Sequence, residues 1–205
     1  MRSVELTEQH SAKETFGFHP DQDVVLVLGG SQGAEAVNRH LARAIEWYST
    51  QENIGILWQC GERHLRKYAQ YTEGEHGIQV VGFIQNMAEA YSACSLIVAR
   101  AGALTISELG MVGKPSILIP LPTAAANHQL YNAESYARRG AAVVIQEHEL
   151  PTGLLEEMVE TILTDRPRYE AMAAQARSTA LSDATENIVE DIVTLAKRTT
   201  HVSKI

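Results

Sequence analysis

Residues 99–142 read ARAGALTISELGMVGKPSILIPLPTAAANHQLYNAESYARRGAA, and they set the architecture of the chain. The small-residue turn Ala101-Gly102-Ala103 opens a short helix that stops near Gly110 to Gly113. Lys114-Pro115 then leads into the apolar run Ser116 to Pro120, and a polar loop follows before a second helix begins at His128. Helix, short buried strand and helix in succession are the building unit of a parallel sheet, whose strands need crossover connections. Thr105 and Glu108 on the first helix, and His128, Gln129 and Asn132 on the second, therefore fall on consecutive loops at one end of one strand.

The same alternation extends outward in both directions. Val24 to Leu28 is a continuous apolar run, as expected of a strand covered on both faces. Gly29-Gly30-Ser31-Gln32-Gly33 leads from it into a helix starting at Ala34. There Val37, Leu41, Ala44, Ile45 and Tyr48 recur on one face, and Glu35, Arg39, Arg43 and Glu46 lie opposite. Strands are expected at Ile54 to Gln59, Ile78 to Val81, Leu96 to Ala99, Ile117 to Ile119 and Ala142 to Ile145. Helices are expected at Glu62 to Tyr71, Met87 to Ala93, Leu104 to Val112 and His128 to Arg139. From about Glu149 the pattern is helical, broken at Asp165-Arg166-Pro167 and near Ser182-Asp183, and the last helix aligns Ile188, Val189, Ile192, Leu195 and Ala196. Residues 1–23 show little periodicity and read as a leader closed by a turn at Phe16 to Pro20. Six strands alternating with helices make a doubly wound α/β domain, in which ligands sit beyond the carboxyl ends of the strands where strand order reverses.

Composition narrows the function classes. At 205 residues there is room for one full domain. No apolar run approaches the ~20 residues that span a bilayer, and the N-terminus lacks the layout of a signal peptide. Cys60 and Cys94 lie in apolar surroundings without metal-ligand spacing, as buried thiols of a reducing cytoplasm do. A formal charge of −8 argues against a nucleic-acid footprint.

Three groups of residues could carry chemistry. GGSQGA at 29–34 can bring backbone amides and the Ser31 hydroxyl close to an anion; a plain strand-to-helix turn with Ser31 as helix cap fits equally well. It is neither the dinucleotide glycine motif nor a Walker loop. Thr105 and Glu108 share a helix face, and a carboxylate can accept from both hydroxyls of a ribose while the amides of Ala103 and Leu104 face a diphosphate. T-x-x-E is also the capping box, which spacing alone favours. His128, Gln129 and Asn132 offer donors and acceptors suited to sugar hydroxyls, although for His128 and Asn132 a solvated helix face is the simpler reading. Phe83-Ile84 could wall a base or simply fill the core, and the Glu-rich segment from Glu147 to Glu160 reads as a solvated face.

Together and in this order, GGSQGA, GFIQNMAEAY, RAGALTISE and HQLYNA resemble the C-terminal domain of the bacterial peptidoglycan N-acetylglucosamine transferases. That resemblance implies one Rossmann-like half of a GT-B glycosyltransferase, holding the donor UDP-GlcNAc for a metal-independent, inverting transfer that converts lipid I to lipid II. It implies that Ser31 contacts the diphosphate, that Ile84 meets the uracil through its backbone, and that Ala103, Leu104, Thr105, Ile106, Ser107 and Glu108 form the nucleotide-binding turn, with Glu108 on the ribose. Gln129 becomes a sugar contact, His128 stands where some members carry a second glutamine, and Arg2 matches an arginine of the interdomain linker. Gly30, Gln32, Phe83 and Asn132 border the same set.

The implied division is a linker remnant and leader at 1–23, the donor-binding domain at 24–181, and a helix at 182–205 that packs toward an N-terminal domain. That other domain would hold the acceptor site, the membrane-docking patch and the catalytic base, making Met1 an internal start. The chain is therefore expected to bind UDP-GlcNAc without transferring it, to need no cofactor or metal, and to meet lipid I only through the other domain. It would be cytoplasmic, the full-length enzyme lying peripherally on the inner membrane, and an exposed face at Ile188, Ile192 and Leu195 would favour self-association. No catalytic residue is assigned. The alternatives are a free-standing donor-binding subunit that meets its acceptor subunit in trans, or a non-catalytic nucleotide-sugar-binding module.

Overall fold

Continuous apolar runs require cover on both faces, and the architecture supplies it. The computed structural model describes residues 8–30, 33–72 and 77–180. Strands β1 (Asp23–Leu28), β2 (Ile54–Gln59), β3 (Ile78–Val81), β4 (Leu96–Ala99), β5 (Ser116–Leu118) and β6 (Ala142–Val144) form one sheet in the order β3-β2-β1-β4-β5-β6. Every pairing is parallel; Leu28 stands opposite Gln59 on one side and Ala99 on the other.

Successive strand residues serve opposite faces. Val25, Val27, Ile56 and Trp58 meet α2 (Glu35–Arg43), α3 (Ile45–Ser49), α4 (Leu65–Tyr68) and α8 (Leu154–Thr164). Leu26, Leu57, Ile97 and Leu118 meet α5 (Met87–Ala93), α6 (Ala103–Val112) and α7 (His128–Arg138). A further helix, α9 (166–180), lies along the amino ends of the strands, where the Tyr169 hydroxyl donates to Ser95 O at 2.9 Å and Arg177 Nη1 to Gly113 O at 3.2 Å. The expected break before it is a cap: Asp165 Oδ1 accepts the Arg168 N–H at 3.1 Å, with Pro167 in the first turn.

Three expectations need correction. The helix from Ala34 is two helices, parted at Ala44, and hydrophobic spacing continues across the break because α2 and α3 bury the same face. The segment from Glu62 to Tyr71 is a single α-helical turn between two 3₁₀ turns, held by Tyr68 packing on Trp58 at 5.1 Å between ring centroids. Within the leader, Gln9–Thr15 is a helix, α1, with Ala12 and Lys13 buried against the domain and Lys13 Nζ donating to Pro20 O at 2.8 Å. Seven residues are too few for periodicity to register.

Cys60 and Cys94 are buried free thiols, and burial pushes the Cys94 thiol up to about 11. Among the described residues no helix is long and apolar enough to cross a membrane. The break near Ser182-Asp183 and the apolar face at Ile188, Ile192 and Leu195 lie outside the described residues.

Candidate functional site

Strand order reverses between β1 and β4, so the chain leaves these neighbours toward opposite faces and a crevice opens beyond their carboxyl ends. The β1 exit is the glycine turn. The Gly29 N–H donates to Gln59 O at 3.2 Å, and the Gly33 N–H to Gly30 O at 3.0 Å. Gly33 has φ +72°, and a Cβ there would stand 2.3 Å from Cys60 O, so only glycine fits. Gly30 shares the positive φ but faces open space. The cap position of α2 falls to Ala34, which rules out the reading of Ser31 as its N-cap. Arg2, Ser31 and Gln32 lie outside the described residues.

The β4 exit decides the reading of T-x-x-E. Gly102 is the N-cap of α6, so Thr105 and Glu108 occupy the third and sixth helical positions and cannot form a capping box. No side chain caps this helix, and its first turn carries no acid. The first N–H with an intrahelical acceptor is that of Ile106, bonded to Gly102 O at 3.0 Å. The amides of Ala103, Leu104 and Thr105 therefore face the crevice end with the helix dipole behind them. Leu104 is 82% exposed, and Ser107 is exposed as well. Glu108 is exposed too, and its Oε2 accepts from the Tyr91 hydroxyl at 2.9 Å. Burial, reinforced by that carboxylate, raises the Tyr91 hydroxyl well above its ordinary range, so it remains a donor.

The β5 exit carries the polar helix. Leu121 N–H donates to Gln129 Oε1 at 3.0 Å, His128 Nδ1 lies 2.8 Å from Ala125 O, and Asn132 Nδ2 donates to Ala101 O at 3.0 Å. Asn132 thus ties α7 to the turn before α6, a use that its spacing did not reveal. At the β3 exit the expected apolar wall divides. Ile84 is buried in the core with its N–H bonded to Gln59 Oε1 at 3.0 Å, whereas Phe83 stays 43% exposed. A base meeting the Ile84 backbone would use its carbonyl.

The sequence reading missed the cations of this crevice. A hollow of about 580 Å³ is bounded by Gly29, Gly30 and Gly33 and by Arg39, Arg63, Arg100, Leu121 and Glu147. Arg100 donates to Ile119 O at 3.1 Å, to Pro120 O at 3.3 Å and to Glu147. A charged residue directly after a buried strand was its one sequence signal. Arg39 and Arg63 come from separate elements and had none. Glu147 and Glu156 also correct the solvated-face reading of 147–160. Glu147 pairs with Arg100, while Glu156 is buried against His40 Nε2 at 2.8 Å on the floor of a neighbouring hollow of about 1230 Å³ between α2 and α8.

Residues 24–188 match the glycosyltransferase family 28 C-terminal domain. The chain belongs to that family. It is 33% identical over 190 residues to a UDP-N-acetylglucosamine–N-acetylmuramyl-(pentapeptide) pyrophosphoryl-undecaprenol N-acetylglucosamine transferase of Flavobacterium psychrophilum, covering 93% of this chain and 51% of that protein. The enzyme of the same name from Marinobacter nauticus is 40% identical over 166 residues, covering 80% of this chain and 46% of its own. The crystal structure of Acinetobacter baumannii MurG superposes with a TM-score of 0.74 at 32% identity, over 95% of this chain and 55% of that one. The glycosyltransferase VinC, solved with dTDP, shares the fold at a TM-score of 0.61 and 20% identity, over 95% of this chain and 45% of its own. The chain spans about half the length of the curated relatives it matches.

In this family 28 domain the acid nearest the glycine turn is paired. The carboxyl of Glu35, in the first turn of α2, is held below its usual range chiefly by the hydrogen bond from Lys67 at 2.8 Å, with Tyr68 and His64 assisting. The α6 start carries no such acid, which makes it the more anion-receptive of the two helix starts at the reversal point.

Proposed function

We propose that this chain is the donor-binding half of a transferase that moves N-acetylglucosamine from UDP-GlcNAc to lipid I. The observation that carries the reading is the uncapped, acid-free start of α6 opening beside the β1 glycine turn at the point of strand reversal. A helix start with three unsatisfied amides suits a diphosphate. In this reading the amides of Ala103, Leu104 and Thr105 hold the diphosphate, with Ser31 completing the set from the glycine turn. Glu108, oriented by Tyr91, accepts from the ribose hydroxyls, and Ile106 and Ser107 belong to the same turn. Phe83 and the Ile84 carbonyl flank the base, while Gln129 and His128 meet the sugar. The names of the relatives support this donor and acceptor pair.

No group of this chain is assigned to proton transfer. Transfer would need an acceptor domain outside these residues, and lipid I would be met through it. The donor site as proposed uses amides, hydroxyls and a carboxylate rather than a metal. Calorimetric titration of the purified chain with UDP-GlcNAc, and with GDP-mannose as control, tests the reading. Saturable binding of the uridine nucleotide alone supports it; indifference to both, in this chain and in the full-length protein, refutes it.

A further inference from the structure

Three strand exits meet at one guanidinium. Arg100 follows β4 directly; its Nη1 donates to the carbonyls of Ile119 and Pro120 beyond β5, and its Nη2 to Glu147 beyond β6. The two side chains are 16% and 22% exposed, so the pair is largely shielded from water. A planar fork with fixed donors sets the positions of its acceptors, which a flexible ammonium cannot do. The residue after Pro120 is Leu121, whose N–H donates to Gln129 Oε1 at 3.0 Å. A backbone N–H can only donate, so the contact turns the carboxamide oxygen toward Leu121 and leaves the Gln129 NH₂ facing away from it, toward a ligand.

We infer that Arg100, braced by Glu147, is a positioning residue of the sugar subsite: it holds the 119–121 segment, and through the Leu121 N–H it orients Gln129 as a hydrogen-bond donor. Gln129 then recognises an acceptor oxygen on the sugar rather than a donor group. The inference rests on the donor-binding reading above. It adds that discrimination between a nucleotide and its sugar conjugate depends on a residue that need not touch either.

A double-mutant cycle on the purified chain tests it, with Arg100→Lys, Gln129→Ala and the double variant titrated against UDP-GlcNAc and UDP. The readout is the affinity for UDP-GlcNAc relative to UDP. Each single variant lowers that ratio by about 3- to 10-fold against wild type, the effect of one lost hydrogen bond, and the double variant falls no further than Gln129→Ala alone. Should Arg100→Lys not fold, Glu147→Gln is read in the same way. An unchanged ratio in the Arg100 variant, a loss of both affinities in parallel, or full additivity in the double variant each overturns the inference. Wild-type binding of UDP without UDP-GlcNAc overturns it and leaves the nucleotide site standing, whereas binding of neither removes both.

Discussion

Tyr91 gives its hydroxyl hydrogen to Glu108 Oε2 across 2.9 Å, joining α5 to α6. The carboxylate proposed for the ribose is thus oriented before any ligand arrives, and its second oxygen keeps acceptor capacity. Glu108→Ala is expected to weaken UDP binding by ~1–3 kcal/mol, since it strips the acceptor from two hydroxyls. Tyr91→Phe should cost less, about 1 kcal/mol, because the carboxylate remains and only its orientation loosens. Calorimetry on the three proteins decides; equal affinities would remove Glu108 from the site.

The two glycines of the β1 turn separate conformational cost from steric cost. Gly30→Ala pays only for a positive φ in open space, about 1–2 kcal/mol. Gly33→Ala adds a Cβ 2.3 Å from Cys60 O and 2.6 Å from a His64 ring carbon, so backbone must move. Its melting temperature should fall further than that of Gly30→Ala by thermal denaturation, and equal shifts would mean that the loop rearranges freely.

Asn38 on α2 is buried and joins two neighbours, accepting from Trp58 Nε1 at 2.8 Å and donating to Cys60 O at 2.8 Å. Asn38→Leu keeps the γ-branched shape but orphans both partners in the core. Urea unfolding should show a loss of roughly 2–5 kcal/mol. Asn38→Asp, which keeps the acceptor for Trp58 and loses the donor, should also destabilise the domain.

Alkaline pH should weaken the domain through Tyr169. Burial pushes its hydroxyl up to about 12 from 10.0, so between those values the unfolded chain gives up a proton that the folded chain keeps. Stability from this group is complete below about pH 10 and declines as pH rises toward 12. Tyr169→Phe loses the 2.9 Å hydrogen bond to Ser95 O, and its stability should fall less steeply over that window. Urea midpoints at several pH values measure the difference. Lys114, whose ammonium is lowered by burial, contributes an opposite slope to both proteins and cancels in the comparison.

The strands were legible because a parallel sheet covered on both faces demands uninterrupted apolar runs, and Val24 to Leu28 or Leu96 to Ala99 have no other use. The glycine turn was legible for a similar reason: Gly33 occupies a backbone state and a space that admit no side chain. The α2–α3 break and the short α1 were not, since one residue or about two turns of helix change the spacing of apolar positions too little to register.

The succession of strands and helices along the chain follows from the sequence alone, because periodicity and turn chemistry act between near neighbours, whereas the sheet order that puts the reversal point between β1 and β4 does not. That T-x-x-E is not a capping box was settled only by tertiary structure. The role depends on where α6 begins, and the end of β4 places that start at Gly102 rather than at Thr105. The partners of Arg100 lie 19, 20 and 47 residues away. Sheet register and loop path bring them within hydrogen-bond reach, and local spacing carries no information about either.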